Sequence, residues 1–176
     1  MKNVELKDFQ EQAIEDLRTE CRTAIEESIK IHRQQVIVFT APTGAGKTIM
    51  ASALIEDILC DNPYSIFVWL SDSPELNEQS KEKIEKYANK IQFGQCDVIT
   101  ENSFDKETLD DGHIYFINTQ KMSVTSKLTK QSDSRQFTIW ETFKNTIEQK
   151  SDRLYFIIDE AHHGANDKKT ANESSN

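Results

Sequence analysis

One stretch of the sequence constrains the fold more than any other, because its predicted secondary structure changes from strand to turn and from turn to helix within a few residues. Residues 36–40 are β-branched and aromatic, which is typical of a buried strand. A turn with Gly44 and Gly46 follows, and from Thr48 to about Cys60 the pattern is helical. A strand that passes through a glycine turn directly into a helix is a connection found in α/β folds with parallel sheets.

The rest of the chain alternates helix and strand patterns in the same way. Apolar residues recur at every fourth position over residues 8–31, which predicts a first helix. Further strands are predicted at 64–70, 96–100, 113–117 and 154–158, further helices at 75–91 and 135–150, and a mobile loop at 119–134. We therefore expect a three-layer α/β/α sandwich with a mostly parallel central sheet.

The glycine turn also carries the pattern of a phosphate-binding loop. That pattern is G-x-x-x-x-G-K-[ST], and Ala41 stands here at its first glycine. The substitution is tolerable because backbone N–H groups and the helix N-terminus hold the phosphates. Lys47 would reach the β- and γ-phosphates, and the Thr48 hydroxyl would bind Mg²⁺. The candidate nucleotide-binding residues of the loop are Thr43, Gly44, Ala45, Gly46, Lys47 and Thr48.

A second polar motif follows the predicted strand 154–158. Asp159 and Glu160 are adjacent carboxylates at the strand's carboxyl end, where open α/β sheets place their ligand sites. Asp159 would bind Mg²⁺ through water, and Glu160 would polarise the attacking water. Alone, such a pair is also compatible with a solvated turn. Together with the phosphate loop it predicts hydrolysis of a nucleoside triphosphate.

The two motifs resemble those of a known family. Residues 41–48 together with Asp159-Glu160-Ala161-His162 look like the first RecA-like domain of a superfamily 2 helicase or translocase of the DEAH-box type. With Phe67-Val68-Trp69-Leu70-Ser71 added, the resemblance is closest to the restriction subunit of type I and type III restriction enzymes, over residues 6–164. It implies a RecA-like P-loop NTPase fold over residues 1–164, with ATP and Mg²⁺ as ligands.

The resemblance implies roles for several other residues. Leu6-Lys7-Asp8-Phe9-Gln10 is similar to the family's Leu-Arg-x-Tyr-Gln motif, in which the glutamine reads adenine. Gln10 is therefore the candidate for ATP preference, although Phe9 also begins the apolar face of the first helix. His162 would couple hydrolysis to a neighbouring domain. The candidate nucleic-acid contacts, which could equally be caps or turns, are Ser71, Ser73, Asn118, Thr119 and Gln120.

Composition limits the partners and the compartment. The net charge of −9, with 21 basic and 30 acidic residues, predicts weak nucleic-acid binding by this segment alone. The three cysteines are far apart and have no metal-ligand spacing, which is typical of reduced thiols in a cytoplasmic protein. No apolar run approaches the roughly 18 residues of a membrane span, and the N-terminus lacks a secretory signal.

The resemblance also implies partners outside these residues. A second RecA-like domain with an arginine finger would complete the motor, and double-stranded DNA and a nuclease or methyltransferase subunit are the expected further partners. We expect a fragment that is weakly active or inactive alone, with a disordered tail at 165–176. The alternative is an ATP-binding switch that regulates a partner interaction without motor activity. A GTPase is disfavoured because the chain lacks an Asn-Lys-x-Asp motif.

Overall fold

The structure is a computed structural model that describes residues 5–88, 90–92, 94–133 and 135–159. Its longer helices are α1 (Asp8–Ile31), α2 (Lys47–Asp61), α3 (Pro74–Tyr87) and α4 (Ile139–Lys150). Its strands are β1 (Ile66–Ser71), β2 (Cys96–Val98), β3 (Ile114–Asn118) and β4 (Leu154–Ile158). Short 3₁₀ turns occur at Thr119–Met122, Lys127–Thr129 and Ser151–Arg153.

The four strands form one sheet in which every pair is parallel. Their order is β2-β3-β1-β4, with Ser71 of β1 opposite Asn118 of β3 and Leu70 opposite Ile158 of β4. β1 and β3 are buried along their whole length, as parallel strands covered on both faces should be. Because the strands are parallel, their carboxyl ends and the polar residues that follow share one edge of the sheet.

Helices cover both faces of this sheet. On one face, a cluster that includes Phe67, Trp69 and Phe116 packs against α2 and α3, with part of α1 beside it. On the other face, a cluster that includes Val68 and Ile117 packs against α4 and the chain between β2 and α4. The three-layer α/β/α sandwich expected from the sequence is therefore confirmed, as is its parallel sheet.

Helix α1 lies alongside α2 and is attached to it near both ends. Arg18 and Arg22 both donate hydrogen bonds to the carboxylate of Asp61, the last residue of α2, with Nη2–Oδ2 distances of 2.8 and 2.5 Å. Near the other end, Gln10 donates a hydrogen bond to the carbonyl of Ala45, just before α2 begins. The first helix therefore runs in the same direction as the second.

The predicted strand at residues 36–40 is wrong. These residues belong to no strand of the sheet that the described residues form, and the Val36 and Val38 side chains are 79% and 80% exposed. An apolar segment becomes a strand only when a neighbouring strand supplies hydrogen-bond partners for its backbone. Within the described residues the sheet ends at β4, whose Phe156 and Ile158 are also exposed, and 36–40 does not extend it.

The predicted mobile loop at 119–134 is more ordered than its composition suggests. It contains two 3₁₀ turns, and Leu128 within the second of them is fully buried in the core. The Arg135 guanidinium, 7% exposed, donates hydrogen bonds to the carbonyls of Glu101, Phe104 and Lys127. One side chain thus ties three separate backbone positions together.

Candidate functional site

The phosphate-binding loop has the backbone conformation that its glycines permit. Gly46 caps the N-terminus of α2 with φ +87°, and its carbonyl accepts the N–H of Met50 at 2.9 Å. Gly44 has φ +82°, and a Cβ placed there would meet no atom within 4 Å. The N–H of Ala45 donates to the carbonyl of Pro42 at 3.1 Å, which closes the turn. The left-handed residues and the free first N–H groups of α2 form the kind of concave surface that binds anions.

Two polar side chains of the loop belong to the first turn of α2. The ammonium of Lys47 bends back over the loop and donates to the carbonyl of Ala41, with an Nζ–O distance of 3.2 Å. Thr48 lies in the first turn of α2 and is half-buried.

The glycine turn and Asp159 lie towards the same edge of the sheet. The four residues 62–65 reverse the chain between α2 and β1, so α2 runs antiparallel to β1 and its N-terminus lies towards the carboxyl ends of the strands. Asp159 directly follows β4 at those ends, and its N–H donates to the carbonyl of Leu70 at 2.9 Å. Glu160 and His162 lie outside the described residues. Of the acidic motif, the structure therefore describes the position of Asp159 alone.

Gln10 contacts the phosphate loop directly. Its side-chain nitrogen donates to the carbonyl of Ala45 at 2.8 Å, and its side-chain oxygen accepts the backbone N–H of Lys7 at 3.0 Å. The residue is buried, and its Nε2 would lie 2.7 Å from a Cβ on Gly46. The sequence analysis placed Gln10 near the nucleotide, but nothing in the sequence indicated a bond to Ala45.

Some of the candidate nucleic-acid contacts use their polar groups inside the domain. Ser71 is buried, and its hydroxyl donates to Asn77 Oδ1 at 2.7 Å. Asn118 is also buried: its amide nitrogen donates to the carbonyl of Asp72, and its oxygen accepts the N–H of Gln120. Ser73 accepts the N–H of Leu76 and so caps α3.

Thr119 and Gln120 are the exposed members of this candidate set. The hydrogen bond from Asn118 instead joins the end of β3 to Asp72 after β1, and the bond from Ser71 joins the end of β1 to α3. Asn77, which completes this arrangement, was missed in the sequence analysis. It lies within α3, and no local pattern distinguishes it from a surface asparagine.

The comparison with family models agrees with the fold. The model for the type III restriction enzyme res subunit matches residues 3–174. The chain belongs to this family. It is thus a RecA-like domain of the DEAD-like helicase N-terminal class, a helicase-like ATPase domain. Neither the curated proteins nor the solved structures compared with the chain gave a significant match.

The described residues place two limits on other kinds of site. None of their helices combines the length and apolar character needed to cross a membrane. Nor do their His, Cys, Asp and Glu side chains form a group of three or more that could hold a metal ion.

Proposed function

We propose that this domain binds ATP with Mg²⁺ in the loop at 41–48 and hydrolyses it to move a larger protein along DNA. In this proposal it is the first RecA-like half of a DEAH-type translocase. The observation that carries the proposal is the left-handed Gly44–Gly46 turn at the N-terminus of α2, on the edge where β4 delivers Asp159. Space beside Gly44 and the N–H groups of the turn suit a phosphate chain.

Each residue of the loop then has a distinct task. The backbone N–H groups of 44–48 and the N-terminus of α2 hold the β-phosphate. Lys47 leaves the carbonyl of Ala41 and moves its ammonium to the β- and γ-phosphate oxygens. The Thr48 hydroxyl and, through water, Asp159 would hold the Mg²⁺, which neutralises charge on the phosphates. The resemblance adds Glu160 to orient the attacking water and His162 to couple hydrolysis to a second domain.

The charge of the domain argues that DNA is gripped jointly with other parts of the protein. The chain carries a net charge of −9, and the hydroxyl of Ser71 and the amide of Asn118 are used internally. Exposed Thr119 and Gln120 remain as candidate contacts with the phosphate backbone. We propose that a second RecA-like domain supplies further DNA contacts and an arginine for the transition state. Such an arginine raises rates by about 10³–10⁵-fold in comparable systems.

The nucleotide assignment is tested by removing the Lys47 ammonium. Lys47→Ala should weaken Mg-ATP binding by about 10- to 100-fold, because a charge-assisted hydrogen bond contributes about 1.5–3 kcal/mol. Lys30→Ala, which removes an exposed lysine from the last turn of α1, is the matched control. Isothermal titration calorimetry gives both affinities. Equal ATP affinity in the two variants would show that the loop is not the phosphate site.

The motor assignment needs the domain in its full-length protein. ATPase activity should rise when double-stranded DNA is added, and the isolated domain should hydrolyse ATP slowly whether or not DNA is present. If ATP binds normally but no nucleic acid stimulates hydrolysis, the motor assignment is wrong and a nucleotide-controlled switch is the better function.

A further inference from the structure

The contact between α1 and the phosphate loop has a consequence beyond base recognition. The orientation of the Gln10 amide is unambiguous, because the Ala45 carbonyl can only accept a hydrogen bond and the Lys7 N–H can only donate one. The side-chain nitrogen must therefore face Ala45 and the side-chain oxygen must face Lys7. Gln10 joins the start of α1 to the loop across 35 residues of chain.

We infer that Gln10 is a positioning residue that holds the phosphate loop in its binding conformation, whatever base the nucleotide carries. This inference rests on the proposed function, since it assigns the loop to phosphate. The Ala45 carbonyl belongs to the peptide group whose N–H is that of Gly46, the capping residue of α2. A hydrogen bond to that carbonyl fixes the plane of the peptide group. It therefore sets the direction in which the Gly46 N–H points, and that N–H is one of the loop's anion donors.

The packing around Gly46 supports the same assignment. The Gln10 amide nitrogen would lie 2.7 Å from a Cβ at this position, so the side chain occupies the volume that any other residue type would need. Glycine is thus required here for two reasons, the left-handed φ of +87° and the contact with Gln10. Gly44 has a similar φ but no such neighbour, so the contact is particular to the capping residue.

The remaining capacity of the amide allows Gln10 to serve the base as well. A glutamine side chain has two N–H donors and two acceptor sites on its oxygen. Among the described residues, one donor is used by Ala45 and one acceptor site by Lys7, which leaves one of each. A base edge that presents an acceptor beside a donor, as adenine does, can use this pair while the bond to Ala45 stays intact. Base binding would then leave the loop held by Gln10 and would not break the bond to Ala45.

A base-free ligand separates the two roles of Gln10. The probe is inorganic tripolyphosphate with Mg²⁺, compared with Mg-ATP and Mg-GTP by calorimetry, using wild-type protein and Gln10→Ala. Loss of the bond to Ala45 should weaken tripolyphosphate binding by about two- to tenfold, the range expected for one neutral hydrogen bond. The matched control is Gln12→Ala, an exposed glutamine of the same helix whose amide bonds only to Asp16 within α1. Unchanged tripolyphosphate affinity in Gln10→Ala would overturn the inference.

A second measurement needs no ligand, and it tests the positioning role of Gln10 separately from the proposed binding of ATP. Gln10→Glu keeps an acceptor for the Lys7 N–H but loses the donor to Ala45, so α1 keeps its cap while the loop is released. Hydrogen exchange at the amides of Ala45, Gly46 and Lys47 should be several-fold faster in Gln10→Glu than in Gln12→Ala. Equal exchange rates would overturn the positioning role. If wild-type protein binds neither ATP nor tripolyphosphate, the proposed function is wrong, while the exchange rates still decide whether Gln10 holds the loop.

Discussion

The two left-handed glycines of the phosphate loop provide a matched pair of mutations. Gly44 and Gly46 have nearly the same φ, +82° and +87°, and lie two residues apart. Their surroundings differ, because a Cβ at Gly44 meets open space and a Cβ at Gly46 lies 2.7 Å from the Gln10 amide nitrogen. Alanine at either position therefore adds the same backbone strain, but only alanine at position 46 also clashes with a neighbouring side chain.

The magnitudes follow from these two terms. An alanine with left-handed φ costs about 1–2 kcal/mol, and part of this is offset because alanine restricts the unfolded chain more than glycine does. We expect Gly44→Ala to lower the free energy of unfolding by about 1 kcal/mol. In Gly46→Ala, Gln10 must also move away and lose its bond to Ala45, which adds about 0.5–1.5 kcal/mol. The expected cost of Gly46→Ala is thus about 2 kcal/mol.

Urea unfolding followed by circular dichroism measures both costs, and a double-mutant cycle isolates the clash. In a Gln10→Ala background the clash is absent, so Gly46→Ala should cost no more than Gly44→Ala. The coupling energy between positions 10 and 46 should be about 1 kcal/mol. Equal costs for the two glycines in the wild-type background, or a coupling energy near zero, would refute the contact between Gln10 and Gly46.

Two further predictions concern the core and the loop before α4. Arg135→Met leaves three carbonyls without their donor, so the free energy of unfolding should fall by about 3 kcal/mol and proteolysis within 123–133 should accelerate. The control is Arg33→Met, which replaces an exposed arginine. Equal stability of the two variants would contradict the prediction. Burial raises the pKa of the Cys96 thiol from its ordinary 9.0 to about 12. The protonated thiol therefore contributes its full stabilisation of the folded state below pH 9, and this stabilisation is lost as the pH rises towards 12. Between about pH 8 and pH 10, wild-type protein should lose about 1 kcal/mol more free energy of unfolding than Cys96→Ala, and the same loss in both proteins would exclude this role.

Local patterns predicted much of the fold. The first helix begins and ends at the residues expected from its four-residue apolar spacing, and α2 ends before Asn62-Pro63 as its stop signal indicates. The three long strands lie within one or two residues of their predicted positions. These elements were predictable because apolar periodicity and helix-ending residues act over a few neighbouring positions.

The chemistry of the candidate site stays a prediction from its motifs, and the structure describes only part of its geometry. The motif at 43–48 predicts a phosphate loop; the structure places these residues at the N-terminus of α2, and their binding of phosphate stays a prediction. The roles of Asp159, Glu160 and His162 remain predictions, and the last two lie outside the described residues. The bond from Gln10 to Ala45 could not be predicted, because it joins residues 35 positions apart and leaves no periodic trace.

The sequence by itself determined the class of fold, the order of its elements and the residues available to hold a triphosphate. Only the tertiary structure decided which apolar segments became strands. Residues 36–40 have strand composition as clear as that of β4, yet β4 pairs with β1 and 36–40 pairs with nothing in the described chain. Strand formation depends on a partner elsewhere in the sequence, as do the bonds made by Gln10 and Arg135. Composition supplies the capacity for such contacts, and the packing of distant segments determines which of them form.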